Sequence, residues 1–268
     1  MTLNDGFSAN SLEVYGGRFS KMGVRLGAPS WVWPGGYAEN SRKLKPTFDE
    51  IQLTAYEPHG SDSIGADETG ELRALKSETF GYSLHLPIPT RLAEREANEP
   101  ESAIVDTIVA FRDVGVRNYV LHIERSSRGF DVSLAAERLA RIIEKTGLSA
   151  QSICVENVIG TPFDKVWEAV KTLGVSICFD TGHWTVEGGR PVEFLEKYGQ
   201  KIRMAHIHGV VELRDHLPLT YIPEKTLREI VSGLAEIPIA GAVIIENFSV
   251  EYMAQSLECL AKIYGNAG

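Results

Sequence analysis

The residues best equipped for chemistry are seven histidines, His59, His85, His122, His183, His206, His208 and His216. Six lie within or just after a short apolar run, His59 with its neighbour Glu57 among them, and none falls in a stretch of helical periodicity. Three acids show the same bias: Glu156 closes CVE, Asp180 closes CFD and Glu246 closes IIE. A carboxylate at the end of a buried run is costly to desolvate unless it is paired or holds a metal. Imidazole with carboxylate is a ligand mix suited to Zn²⁺, Mn²⁺ or Fe²⁺. A lone histidine in such a run is most simply a satisfied core residue, and a lone acid an ion-pair partner. The gathering of so many at equivalent places points instead to a shared cation site. In FDTGHW, Asp180 and His183 are three apart, and Gly182 is expected to permit a tight turn aiming both into one site. In HIHGV, His206 and His208 would share one strand face, with Asp215 and His216 returning on the next loop, as ligands or as ordinary loop polarity. Trp31, Trp33, Tyr56 and Trp184 form an apolar wall for a large planar ligand or pack as structure. Arg125, Arg128 and Arg214 bind phosphate oxygens or are solvated loop charges.

Something must position these groups together. Eight apolar runs, at 24–30, 50–57, 82–87, 117–124, 152–159, 176–184, 202–210 and 242–250, lack clean alternation, as expected of strands buried on both faces. Between them lie helical patterns: a short one near 38–45, a weakly patterned one near 68–78, then 101–114, 131–146, 162–173, 191–198, 223–236 and 250–264. Pro162, Pro191 and Pro223 stand where helices can begin, and Gly147 where one can stop. Eight strands alternating with helices imply a parallel sheet closed into a (β/α)₈ barrel. In that architecture the strand C-termini build the active site, which is where the histidines and acids fall. Residues 1–20, rich in Ser, Gly and Asn, read as an N-terminal extension, and residues 21–268 as one TIM barrel catalytic domain.

With 268 residues the chain has the length of one large α/β barrel. Three cysteines make no disulfide framework, and Cys154 and Cys178 sit in apolar runs where a free thiol packs as a small hydrophobe. We read the compartment as cytoplasmic, with no membrane span and no signal-peptide core. A net charge of −9 without a basic run argues against long nucleic acid as substrate. A small-molecule substrate and a monomer or homodimer are expected.

VLHIE, CVEN, FDTGHW, MAHIHG and VIIEN resemble the strand-end motifs of the endonuclease IV and xylose isomerase-like barrels, in the right order over residues 24–250. The ketose epimerase branch implies one divalent metal on Glu156, Asp180, His206 and Glu246. The endonuclease IV branch adds His85, His122 and His183. It also has an Asp-x-His pair where this chain has adjacent Asp215 and His216 plus His208. More narrowly, GGRFSKMGVRLGAPSW, ENSRKLKPTFDEIQLTAYE, HLP and HIHGVVELRDHLPL are similar to the cobamide-remodelling phosphodiesterases. Ala28–Pro29 and Tyr56 depart from that group's pattern.

The resemblance implies a metal-dependent phosphodiesterase cleaving the nucleotide loop of a cobamide and releasing cobinamide phosphate. Two or three divalent ions per chain are expected, zinc first, with manganese or iron as alternatives. His85, His122 and Glu156 would hold one, Asp180, His206 and Glu246 another, and His183 with Asp215 or His216 a third. Glu156, Glu246 and His183 are the expected catalytic groups. Trp31, Tyr56, Glu57, Arg125, His208 and Arg214 are expected to line the substrate, a corrinoid or a sugar phosphate. The alternative is a sugar isomerase or epimerase with a single metal, in which Glu156 and Glu246 move protons at carbon. A ligand-binding barrel without activity is a third reading, against which the intact ligand set argues.

Overall fold

The computed structural model of the chain describes Leu12 and residues 22–56, 64–237, 239 and 241–264. Among these residues eight parallel strands close into a barrel. They are β1 (Leu26–Pro29), β2 (Glu50–Thr54), β3 (Gly81–His85), β4 (Tyr119–His122), β5 (Ile153–Glu156), β6 (Ser176–Asp180), β7 (Ile202–Ile207) and, after a small hairpin of β8 (Gly209–Val211) and β9 (Arg214–Leu217), β10 (Val243–Ile245). Leu26 pairs with Val243 and Gly27 with Glu50, so β1 closes the ring between β10 and β2. The helices between them are α1 (Tyr37–Leu44), α2 (Ala66–Leu75), α3 (Pro100–Ala110), α4 (Val132–Thr146), α5 (Phe163–Val170), α6 (Thr181–Val186), α7 (Pro191–Tyr198), α8 (Glu224–Glu236) and α9 (Val250–Tyr264). None is long and apolar enough to cross a membrane. The expected 1–20 extension lies outside the described residues apart from Leu12, which is fully buried.

Local chemistry sets several boundaries. The Asp131 side chain accepts the N–H of Leu134 and starts α4, and Gly147, in the left-handed region, ends it. Pro100 occupies the first turn of α3, where its missing N–H is harmless.

The barrel interior explains why ligands collect at one end. Val120, Cys154, Cys178, Met204, Ala242 and Ile244 form an apolar layer of their own inside the ring. Side chains alternate along a strand, so the residue two positions on faces the same way. Two residues past Val120, Cys154, Cys178, Met204 and Ile244 stand His122, Glu156, Asp180, His206 and Glu246. Cys154 and Cys178 are thus packing residues, and burial pushes the Cys178 thiol up to about 12. At the opposite end Glu50 is fully buried with Arg25 at 3.1 Å.

Two expectations need correction. The run 176–184 is not one strand: β6 ends at Asp180 and the chain turns into α6. Nor do His206 and His208 share a strand face, because β7 ends at Ile207. Beyond it, β8 and β9 pair antiparallel where a loop is expected. Their turn uses Glu212 at φ 57°, without the Asn-Gly or Asp-Gly pair that marks such turns in a sequence.

Candidate metal centre

Six imidazoles and four carboxylates from distant parts of the chain meet at the C-terminal mouth. Glu156 lies at the centre. Its Oε2 is 3.6 Å from His85 Nε2, 3.3 Å from His122 Nε2 and 3.4 Å from His206 Nδ1, and its Oε1 is 3.3 Å from His183 Nδ1. His206 Nδ1 also lies 3.1 Å from Glu246 Oε2 and 3.7 Å from Asp180 Oδ2. Nearer solvent, His216 Nε2 is 3.4 Å from Glu246 Oε2, His216 Nδ1 is 3.0 Å from Asp215 Oδ1, and His183 Nε2 is 3.8 Å from Asp215 Oδ2. Four groups have ligand atoms within 4.8 Å of one another: His85, His122 and Glu156; Glu156 with Cys178 and His206; Asp180, His206 and Glu246; and Asp180 with His183, His208 and His216.

The donor set fits divalent cations. Four buried atoms facing this space have no hydrogen-bond partner: His122 Nε2, Glu156 Oε2, His206 Nδ1 and Glu246 Oε2. An unpaired buried polar atom costs roughly 1–3 kcal/mol, and four at one point call for a shared positive partner. Burial raises the carboxyls of Glu156 and Glu246, but the surrounding histidines outweigh it and hold both well below the usual range. Burial likewise lowers His122 and His183, yet the neighbouring carboxylates lift them to about 9 and about 10. The centre is therefore an anionic cup that protons or metal ions must neutralise.

Several of these candidate ligands are held by a partner. His85 Nδ1 donates to Leu86 O at 2.9 Å, leaving Nε2 to the cup. His122 Nδ1 donates to Glu124 at 3.1 Å, with the same result. His183 Nδ1 lies 3.1 Å from Asn157 O. Asp180 caps α6 by accepting the His183 N–H at 2.7 Å, so the three-residue spacing comes from a helix cap. Gly182 serves a different purpose from the expected turn: a Cβ there would overlap the His208 ring. The Asn following each glutamate ties down the neighbouring segment. Asn157 brackets the Asp180 backbone with two bonds of 2.8 Å. Asn247 donates to His216 O and Leu217 O and accepts from Ser256. The repeated Glu-Asn pair in CVEN and IIEN was the signal for this role; Glu124 was visible two residues after His122.

The expected substrate residues fare differently. Tyr56 lies on the cavity wall with its ring 5.1 Å from that of His85, and Trp31, half exposed, sits 5.7 Å from Tyr56 at the rim. Glu57 and His59 lie outside the described residues. Arg125 and Arg214 are exposed and form no ion pair among the described residues. His208 is buried beneath the site: its Nδ1 accepts the His216 N–H at 2.9 Å, so its Nε2 must donate to Asp180 at 3.1 Å, and no atom remains for a substrate. Trp184 stacks edge-on to Phe194 and Trp33 lies under Lys43, so neither joins a wall at the mouth. The cavity above the cup measures about 390 Å³, and Tyr56, Ile88, Val158, Ile159 and Phe248 give it an apolar wall.

The profile of the family described as "Xylose isomerase-like TIM barrel" matches residues 42–263. Among solved structures, a D-tagatose 3-epimerase-like protein is similar at TM-score 0.69 and 21% identity, over 90% of this chain and 97% of that one. Endonuclease IV from Thermus thermophilus superposes at TM-score 0.67 and 16% identity, covering 89% and 99%. A D-psicose 3-epimerase gives 0.68 and 16%, covering 89% and 98%. No curated protein matches the chain.

Proposed function

The chain belongs to the xylose isomerase-like TIM barrel family, and from that footing we propose that it is a metal-dependent hydrolase of a small-molecule phosphodiester. The observation that carries this reading is the position of His85 and His122. Both face Glu156 Oε2, which His206 Nδ1 also approaches, so Glu156 belongs to two ligand groups at once. A single-cation site needs only Glu156, Asp180, His206 and Glu246; the two additional imidazoles extend it to a second cation. Divalent ions held there supply positive charge to phosphoryl oxygens and make water nucleophilic near neutral pH.

The chain's own residues do the rest. Glu124 and the Leu86 carbonyl fix His122 and His85 so that Nε2 of each faces the cup. Glu246, ionised between His206 and His216, takes up the proton of the attacking water. His183, facing Asp215 through Nε2, protonates the leaving oxygen as the P–O bond breaks and the water oxygen bonds to phosphorus. Asp215 or His216, beside His183, would supply a ligand to a third cation. Ile88, Val158, Ile159 and Phe248 exclude water from the flank and accommodate an apolar body.

Within this class the substrate is a cobamide, cut at its nucleotide loop to give cobinamide phosphate and a nucleoside. The sequence motifs support this, as does the apolar wall with Trp31 and Tyr56 at its rim. The test is metal analysis of the purified protein together with incubation with cobalamin, read by mass spectrometry. Two or more ions per chain and release of cobinamide phosphate are expected. Intact cobalamin and no other diester cleaved would overturn the reading.

One observation favours a second reading. Asp180, His206 and Glu246 form a complete group beside Glu156 and need neither His85 nor His122. A single ion per chain, with interconversion of ketohexoses, would identify a sugar epimerase.

A further inference from the structure

Gln52 is fully buried on the inner face of β2, next to the metal centre but not within it. Its amide Nε2 lies 3.0 Å from His206 Nε2, and this contact joins residues 154 positions apart. The amide has two orientations of equal shape. With Nε2 toward His206, the imidazole must accept and carry its proton on Nδ1, and Gln52 Oε1 is left buried without a partner. With Oε1 toward His206, the imidazole donates from Nε2 and the amide NH2 takes the position that has no partner, so each orientation leaves one amide end unpaired. What separates the two orientations is the other ring nitrogen. His206 Nδ1 points at Glu156, Asp180 and Glu246, has no hydrogen-bond partner, and can bind a cation only as a lone pair.

We propose that Gln52 is the positioning residue that assigns the His206 tautomer: its Oε1 accepts the Nε2–H and thereby presents Nδ1 to the cation. The proposal rests on the metal-centre reading but not on the reaction class. It makes Gln52 the counterpart of Glu124 at His122 and of the Leu86 carbonyl at His85. Three imidazoles are thus fixed by three different acceptors, with opposite ring nitrogens facing inward: Nε2 from His85 and His122, Nδ1 from His206.

The test compares wild type, Gln52→Leu and Gln52→Glu for zinc affinity by chelator competition. Residues that orient a metal-bound histidine typically contribute about 10–100-fold in affinity. Gln52→Leu, which keeps the bulk and removes the acceptor, is expected to bind zinc about that much more weakly. Gln52→Glu, which restores an acceptor, is expected to return to within a few-fold of wild type. Equal affinity in wild type and Gln52→Leu, or equal losses in both variants, would overturn the proposal. If Gln52→Leu does not fold, long-range ¹H–¹⁵N correlation of the zinc-loaded wild type decides: His206 protonated at Nε2 supports the assignment and His206 protonated at Nδ1 refutes it. Wild type that binds no zinc, manganese or iron sinks the metal centre itself; binding by wild type with no effect of Gln52 sinks this proposal alone.

Discussion

His208 Nε2 lies 3.1 Å from both carboxylate oxygens of Asp180, while His208 Nδ1 accepts the backbone N–H of His216. One imidazole therefore links the end of β6 to the β8–β9 hairpin. It sets Asp180 at the bottom of the cup and His216 at its rim in a single arrangement.

This link predicts a strong effect of a small change. Gly182→Ala would drive a methyl group into the His208 ring, which is buried and held at both nitrogens. Overpacking of this kind costs about 1–3 kcal/mol, or a fall in Tm of roughly 2–10 °C at this chain length. Activity should fall with it, because Asp180 and His216 both shift. Thermal denaturation and turnover measured side by side check this; a variant unchanged in both would show that His208 is free to move.

Glu156 touches four histidines, so Glu156→Ala should empty the centre rather than weaken one contact. Outer partners of metal ligands typically contribute about 10–100-fold to metal affinity or activity. A direct ligand shared by two groups should exceed the top of that range. Far-ultraviolet circular dichroism should remain that of the barrel. Turnover within tenfold of wild type would refute the assigned role.

Cations bind the folded centre and not the dispersed residues of an unfolded chain. At a hundredfold excess over Kd, one site adds about 2.7 kcal/mol of stability, equivalent to roughly 5–10 °C in Tm. Treatment with a chelator should lower Tm by at least that amount, and added zinc or manganese should restore it. A Tm indifferent to chelation in a protein shown to contain metal beforehand would contradict the placement of the site.

Far from the metal centre, Glu50 offers a pH test. Burial raises its carboxyl above the ordinary 4.5, with Arg25 opposing. For a raised acid, the folded state holds its proton more tightly than the unfolded one. Its stabilising contribution is complete below about 4.5 and is lost as pH rises through the raised value. The stability of wild type relative to Glu50→Gln should therefore improve as pH falls from 7 toward 4.5. Parallel urea-denaturation midpoints across that range would instead mean that Glu50 titrates normally.

The linear chain alone carries the order of the barrel strands and the identity of the groups at their ends. Apolar runs and helical patterns are local properties, and strand alternation places His122, Glu156, Asp180, His206 and Glu246 one layer above the apolar interior. Which nitrogen of each histidine faces the cup is settled only on folding. That choice depends on acceptors brought close by barrel closure, such as Gln52 for His206, 154 residues away. The β8–β9 hairpin and the burial of His208 were likewise illegible, because the turn lacks glycine and asparagine and the partner of His208 lies on β6. Gly182 shows the difference most directly. As a residue in a motif it suggests a turn; in the folded chain it makes room for an imidazole from another strand end.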